Sequence, residues 1–447
     1  MKTSLVAMIA LVWSFTLNAE SIFHAPKTFK TAEGQVVFID IKTADYSVTY
    51  DPKTKKVMAQ SILVFETKET GMVAFDLVEN PTSMSLDGEA ISSKVISSPD
   101  KDTWFRIALK NTTPGLHKLE ISSPITQSVS FGSEGVSSAF WFTDLGDRSY
   151  LEAYLPANFE FDQYQITLNL DFKTMNKQKI YTNGKVTTLE NNRYRIEFPE
   201  TYTSSSLYFH TAWAGRYNEK SFVFKSLDGR ELPAIVYTGD KSLNLESIKT
   251  KITQSLDALE TKYGPFLHQS VTVFIAGSGG MEYCGATMTD VWALNHELTH
   301  SYFARGGFMP ANGNSGWIDE AITTWSDTGA STLENPNNIR SNMAGNSEYR
   351  RYTHIDAYTQ GKNFMAYLNY KYQASGGLSA FLNQLISSES FRPMTTEEFV
   401  GKMSDFYSED LMPLFKKHTY SGKSVQGTPG EHPIHMKMTI QEMRSLL

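Results

Sequence analysis

Between about residue 30 and residue 225 the apolar positions come in short runs of β-branched and aromatic residues: Val36–Ile41, Tyr46–Tyr50, Ser61–Glu66, Thr103–Leu109 and Gln165–Leu170. Turn-forming pairs divide them, among them Asp51-Pro52, Asp87-Gly88, Pro114-Gly115 and Asn183-Gly184. Many short strands punctuated by turns predict a β-sandwich. Near residue 230 the period changes. Ala234–Tyr237 reads as a strand. Ile248, Ile252, Leu256 and Leu259 then fall at helical spacing, which predicts a helix over Leu245–Tyr263 stopped by Gly264-Pro265. Val271–Ile275 reads as a buried strand ending in Gly277-Ser278-Gly279-Gly280. An apolar helix follows, flanked by Val291–Leu294 and Tyr302-Phe303. After it come a Gly/Asn-rich loop over 306–316, a helix from about Ile318, and mostly helices from Ala357 onward. The pattern therefore predicts an α+β multidomain chain: an all-β sandwich over 20–228 and a mainly α domain over 229–447.

A chain of 447 residues holds two or three ordinary domains. With 40% hydrophobic, 13% aromatic and 20% charged residues it reads as globular rather than disordered. The net charge is −7 and no Lys/Arg run stands out, which argues against nucleic acid as a partner. Lys2, the short apolar stretch Ser4–Leu17 and the small-residue site Asn18-Ala19 read as an export signal over 1–19, cleaved after Ala19. The stretch is short for a membrane span, although an uncleaved anchor is the other reading. No other long apolar segment follows, so the mature protein is expected to be periplasmic or secreted, with no stable membrane span. Cys284 is the only cysteine. Without an internal disulfide, stability rests on the core, and Cys284 is expected to serve as a small buried apolar residue.

The chemistry concentrates at His296-Glu297-Leu298-Thr299-His300. Positions i and i+4 share one helix face, so the two imidazoles can grip one metal ion together. Glu297, one residue round, is placed to touch a water beside the metal rather than the metal itself. Catalytic zinc needs a third protein ligand and an open position. Glu320, in Trp317-Ile318-Asp319-Glu320-Ala321, is the candidate, and its neighbour Asp319 is the alternative. Two histidines and a glutamate on an interior helix would carry a large desolvation cost without such a partner. The Gly277–Gly280 stretch lacks the Gly-Lys-Ser/Thr ending of a phosphate loop, and no Gly-x-Ser-x-Gly elbow supports a serine hydrolase. His354, His418, His432 and His435 have no ligand spacing.

Taken in order, these residues resemble the aminopeptidase N family of zinc peptidases (gluzincins), which also includes the leukotriene hydrolases. Gly279-Gly280-Met281-Glu282-Tyr283 resembles the family's Gly-x-Met-Glu-Asn exopeptidase motif. His296–His300 matches the zinc helix, Trp317–Ala321 is similar to Trp-Leu-Asn-Glu-Gly, and Tyr358-Thr359-Gln360-Gly361 resembles Tyr-x-Lys-Gly. The resemblance covers roughly residues 30–390. It implies a saddle-like β-domain followed by a thermolysin-like catalytic domain, one zinc ion held by His296, His300 and Glu320, and a peptide substrate. It further implies Glu297 as general base, Tyr358 as a hydrogen-bond donor to the tetrahedral oxyanion, and Glu282 as the anchor for a free α-amine. Gly279, Gly280 and Met281 would run alongside the substrate, and Asp144 would be a second amine anchor from the β-domain. There are departures. One extra residue separates His300 from Glu320, so that Asp319 stands at the family's usual distance. Tyr283 replaces an asparagine and Gln360 a lysine, and the family's large C-terminal helical domain has no counterpart here. The leading expectation is an exported zinc aminopeptidase. Its rivals are a glycyl-aminopeptidase or endopeptidase relative, whose Gly-Gly-Leu-Glu-His also resembles residues 279–283, and a catalytically silent scaffold on the same fold.

Overall fold

Strict alternation of buried and open positions makes Asp40–Asp51 and Lys56–Thr67 two long antiparallel strands, with Tyr46, Val48 and Tyr50 on the inward face. The sequence runs 36–41 and 46–50 are thus differently cut: strand Gln35–Phe38 ends first, and Asp40–Asp51 continues through the polar stretch, with a bulge between Ile41 and Thr43. In this computed structural model, residues 23–421 are described apart from 102, 144–149, 159, 174–175, 313 and 351–352. The expected export signal and Asp144 lie outside the described residues. Up to residue 213 the described elements are strands in sheets of eight, five and four, with one short helical turn, Leu151–Ala153. Residues of all three sheets meet in one apolar core around Tyr46, Phe65, Phe140, Tyr154 and Phe209. The N-terminal half is all-β, as the turn-punctuated pattern predicts.

Another five-stranded sheet opens the other half, in the order Asn218–Lys225, Glu231–Thr238, Val271–Ile275, Ala286–Thr289, Gly280–Tyr283. A tight turn closed by Ser226 N–H to Arg230 O makes its first two strands one hairpin. Its three inner strands run parallel, and Val271–Ile275 and Ala286–Thr289 are buried on both faces. Val271, Val273 and Ile275 point into a core shared with the helices, whereas Phe274 points into the core of the β-half. Among the described residues there are seven α-helices, α1 (Leu245–Tyr263), α2 (Leu294–Phe303), α3 (Gly316–Asp327), α4 (Gln360–Lys371), α5 (Gly377–Glu389), α6 (Thr396–Tyr407) and α7 (Met412–Thr419), of which α1 and α2 pack on this sheet. They bury Trp317, Trp325, Phe364, Phe381, Phe399 and Phe415 among themselves. Helix α1 has the bounds that the spacing predicts. Asn244 caps it, accepting from the N–H groups of Glu246 at 3.0 Å and Ser247 at 3.2 Å, and Gly264 ends it in a positive-φ conformation. Among the described residues, no helix is long and apolar enough to cross a membrane.

Candidate zinc centre

Helix α2 is buried along almost its whole length, with Asn295 its one exposed residue. His296 and His300 stand one turn apart on it, and Glu320 reaches them from α3, which packs against α2. The three donor atoms form a nearly equilateral triangle. His300 Nε2 lies 3.2 Å from His296 Nε2, and Glu320 Oε2 lies 3.4 Å from each. An ion about 2.0–2.1 Å from two imidazole nitrogens and a carboxylate oxygen, at tetrahedral angles, sets its ligands roughly 3.3 Å apart. The triangle fits zinc, and its three residues are at most 3% exposed. Further atoms orient the rings. Thr323 Oγ1 is 3.2 Å from His300 Nδ1, and Asp327 Oδ2 is 3.8 Å from His296 Nδ1, with Asp327 in turn bonded by the Asn295 amide. Of the two candidate acids, Glu320 joins the triad. Asp319 is buried next to it but, about 100° round the helix, does not. Between the two helices, Met309–Pro310 pairs as a short strand with Pro393–Met394.

The hairpin of Gly280–Tyr283 and Ala286–Thr289 lies at the sheet edge beside α2. Its short strands carry no legible alternation, and the glycine run before them reads as a loop in sequence. Gly279, at φ 56°, turns the chain into it. A side chain on Gly280 would fall inside the Glu297 carboxyl group, meeting even its Cγ at 2.8 Å, so glycine here makes room for Glu297. Two residues on and on the same face, Glu282 brings a carboxylate oxygen within 4.8 Å of both a Glu297 oxygen and a His300 ring nitrogen. Met281 and Tyr283 point the other way. Both are fully buried in the core of the β-half, so the Met281 side chain does not face the zinc centre and only its backbone runs along the edge. Tyr358 ends a short helical turn, Ile355–Tyr358, that packs on α3 just before α4. Gly361 permits this approach, since a Cβ there would come within 2.8 Å of the Ala321 Cβ.

Arg305, two residues past α2, belongs to no motif, and its one sequence signal is a charge within the apolar run Ser301–Phe308. It is fully buried and bonds both Glu160 of the β-half and Glu282. Burial opposes its charge, but the two carboxylates outweigh that and hold the guanidinium pKa above its ordinary range. Cys284 is an inert core residue: burial pushes its thiol up to about 12. His354 caps the turn before Tyr358 by accepting from Asp356 N–H at 3.1 Å, and His418 bonds the Ile339 carbonyl at 2.7 Å, so both are structural.

No protein-family model and no curated protein matches this sequence. Solved structures do. The M1 zinc metallopeptidase of Deinococcus radiodurans aligns with a TM-score of 0.60 at 14% identity, over 88% of this chain and 97% of that one. Leukotriene A4 hydrolase of Saccharomyces cerevisiae gives 0.63 at 13% identity, over 88% and 69%. Aminopeptidase A of Legionella pneumophila, solved with aspartic acid, gives 0.62 at 13% identity, over 89% of this chain and 51% of that one. At these identities the likeness shows the fold. That fold, holding a buried His296–His300–Glu320 zinc site with the Glu297 carboxylate close by, is the constellation of a zinc-dependent hydrolase.

Proposed function

We propose that the protein is an exported zinc aminopeptidase that removes residues from the free N-termini of peptides. The carrying observation is Glu282, whose carboxylate lies within 4.8 Å of Glu297 and His300. In a peptide the terminal ammonium is separated from the first scissile carbonyl by a single Cα. A fixed anion this close to the metal ligands therefore holds the amine while the first peptide bond lies at the zinc. The backbone of Gly279–Glu282 forms a sheet edge along which an extended substrate adds as another strand.

His296, His300 and Glu320 hold the ion, which when bound supplies Lewis acidity toward the carbonyl oxygen and toward water. Glu297 accepts the proton of the attacking water and passes it to the departing amine. The Tyr358 hydroxyl donates a hydrogen bond to the carbonyl oxygen as it becomes tetrahedral. Asp144 is kept as a second amine anchor. The Arg305–Glu282 ion pair favours one other reading, an endopeptidase, in which Glu282 is a structural carboxylate. The discriminating measurement is hydrolysis of an aminoacyl chromophore beside its N-acetyl form. The aminopeptidase reading expects cleavage of the free amine alone, and Glu282→Gln erasing that preference. Equal cleavage of the blocked substrate favours the endopeptidase. Stoichiometric zinc with no turnover of either leaves only a scaffold.

A further inference from the structure

One guanidinium stands between two carboxylates from different halves of the molecule. Arg305 Nη1 donates to Glu160 Oε1 at 2.8 Å and to Ser205 Oγ at 2.8 Å. Its Nη2 donates to Glu282 Oε1 at 3.3 Å, and its Nε to the Glu282 carbonyl oxygen at 3.4 Å. The Ser205 hydroxyl donates to Glu160 as well. All four residues are buried, where charges are weakly screened and the count of charges decides what a site attracts. A lone Arg305–Glu282 pair would be neutral, and an arriving ammonium would meet a carboxylate whose charge Arg305 had already answered. Glu160 changes the count to two anions against one cation, and it is the nearer partner of the guanidinium. The planar fork of arginine allows both contacts at once, which a lysine could not reproduce.

We propose that Glu160 and Arg305 are positioning residues for amine recognition: Arg305 holds Glu282 in place, and Glu160 balances Arg305 so that Glu282 keeps its charge for the substrate ammonium. This rests on the reading of Glu282 as the amine anchor. It makes the amine site a joint product of the β-half and the catalytic half. It also has a counterintuitive consequence: neutralising Glu160 weakens amine binding, and neutralising Arg305 in addition restores it.

The test is a mutant cycle of Glu160→Gln, Arg305→Gln and the double variant in the zinc-loaded protein, with Glu282→Gln as reference. Two readouts are taken. One is kcat and KM on an aminoacyl substrate and its N-acetyl form. The other is equilibrium binding of an uncleavable amino alcohol and its N-acetyl form by calorimetry. Glu160→Gln should raise KM and Kd for the free-amine compounds about tenfold, with kcat little changed. The double variant should return both to within about threefold of the unmodified protein. A Glu160→Gln variant that binds amines normally, or a double variant weaker than the single, overturns the proposal, because a merely structural cluster makes the double worse. If Glu160→Gln does not fold, the double variant, which has the same net charge as the unmodified cluster, decides alone: retained amine preference supports the proposal and its loss overturns it. If Glu282→Gln leaves the amine preference intact, the anchor reading itself falls and this proposal with it. If Glu282→Gln erases the preference and Glu160→Gln does not disturb it, the charge-balance proposal alone falls.

Discussion

Gly280 and Glu297 come from different elements and occupy one volume: the carboxyl group of the second fills the place where a side chain on the first would lie. The position of the proposed base is therefore set by the absence of a methyl group on the sheet edge. Gly280→Ala should push Glu297 aside and lower kcat about a hundredfold, the scale of losing a positioned base, while zinc content by metal analysis stays at one per chain. Undiminished kcat in that variant would remove Glu297 from the mechanism in this geometry. The same scale shows what a motif does and does not reveal. His296, Glu297 and His300 are legible from helical periodicity alone, because i and i+4 share a face in any helix. That Met281 turns into the β-half core while Glu282 turns to the zinc centre follows from strand alternation, which appears only once residues 280–283 are known to form a strand.

Helix α3 shows what a single element contributes. Glu320, Thr323 and Asp327 fall at i, i+3 and i+7, so one stripe supplies a metal ligand and two groups that face the far nitrogens of the ligating rings. Fixing those rings raises their basicity and limits their rotation. Asp327→Asn should weaken zinc binding about 10- to 100-fold in a chelator competition with little change in the fold's thermal stability. Unchanged zinc affinity would mean that His296 is held by its packing alone. The choice between Asp319 and Glu320 belongs to this scale too. Counting residues from His300 favoured one acid and the tryptophan register the other. Only the packing of α3 against α2 brings Glu320, and not Asp319, to the two imidazoles.

At the scale of the whole molecule the catalytic sheet is the partition, with helices on one face and the β-half on the other. His210 lies in that seam, its ring nitrogens 2.8 Å from the Tyr237 hydroxyl and 3.0 Å from the Tyr217 hydroxyl. Burial, with the nearby Arg216 charge, lowers its pKa from 6.5 to about 3. The folded protein thus keeps this imidazole neutral over a range where the unfolded chain protonates it. Between those two values the unfolded state binds more protons, so stability contributed here is complete above about pH 6.5 and is lost as pH falls toward about 3. Replacing the ring by a neutral amide that keeps both hydroxyl contacts, His210→Gln, should make the decline of Tm between pH 7 and pH 5 shallower than in the unmodified protein (a window chosen about the unperturbed histidine value). Parallel curves for the two proteins would show that the seam is not the acid-labile part.

The chain by itself determined whatever depends on neighbours in sequence: an all-β first half from turn-divided alternation, helix α1 from its apolar spacing and its Gly264-Pro265 stop, and a histidine pair with a glutamate beside it. These follow because strand and helix periods are local properties of the backbone. Tertiary structure decided which acid completes the metal triangle, which way each residue of the edge strand faces, and that Glu160, far upstream, shares a guanidinium with Glu282. Those outcomes depend on how separate elements approach in space and on where charges are shut away from water, and neither is written in the spacing of residues along the chain.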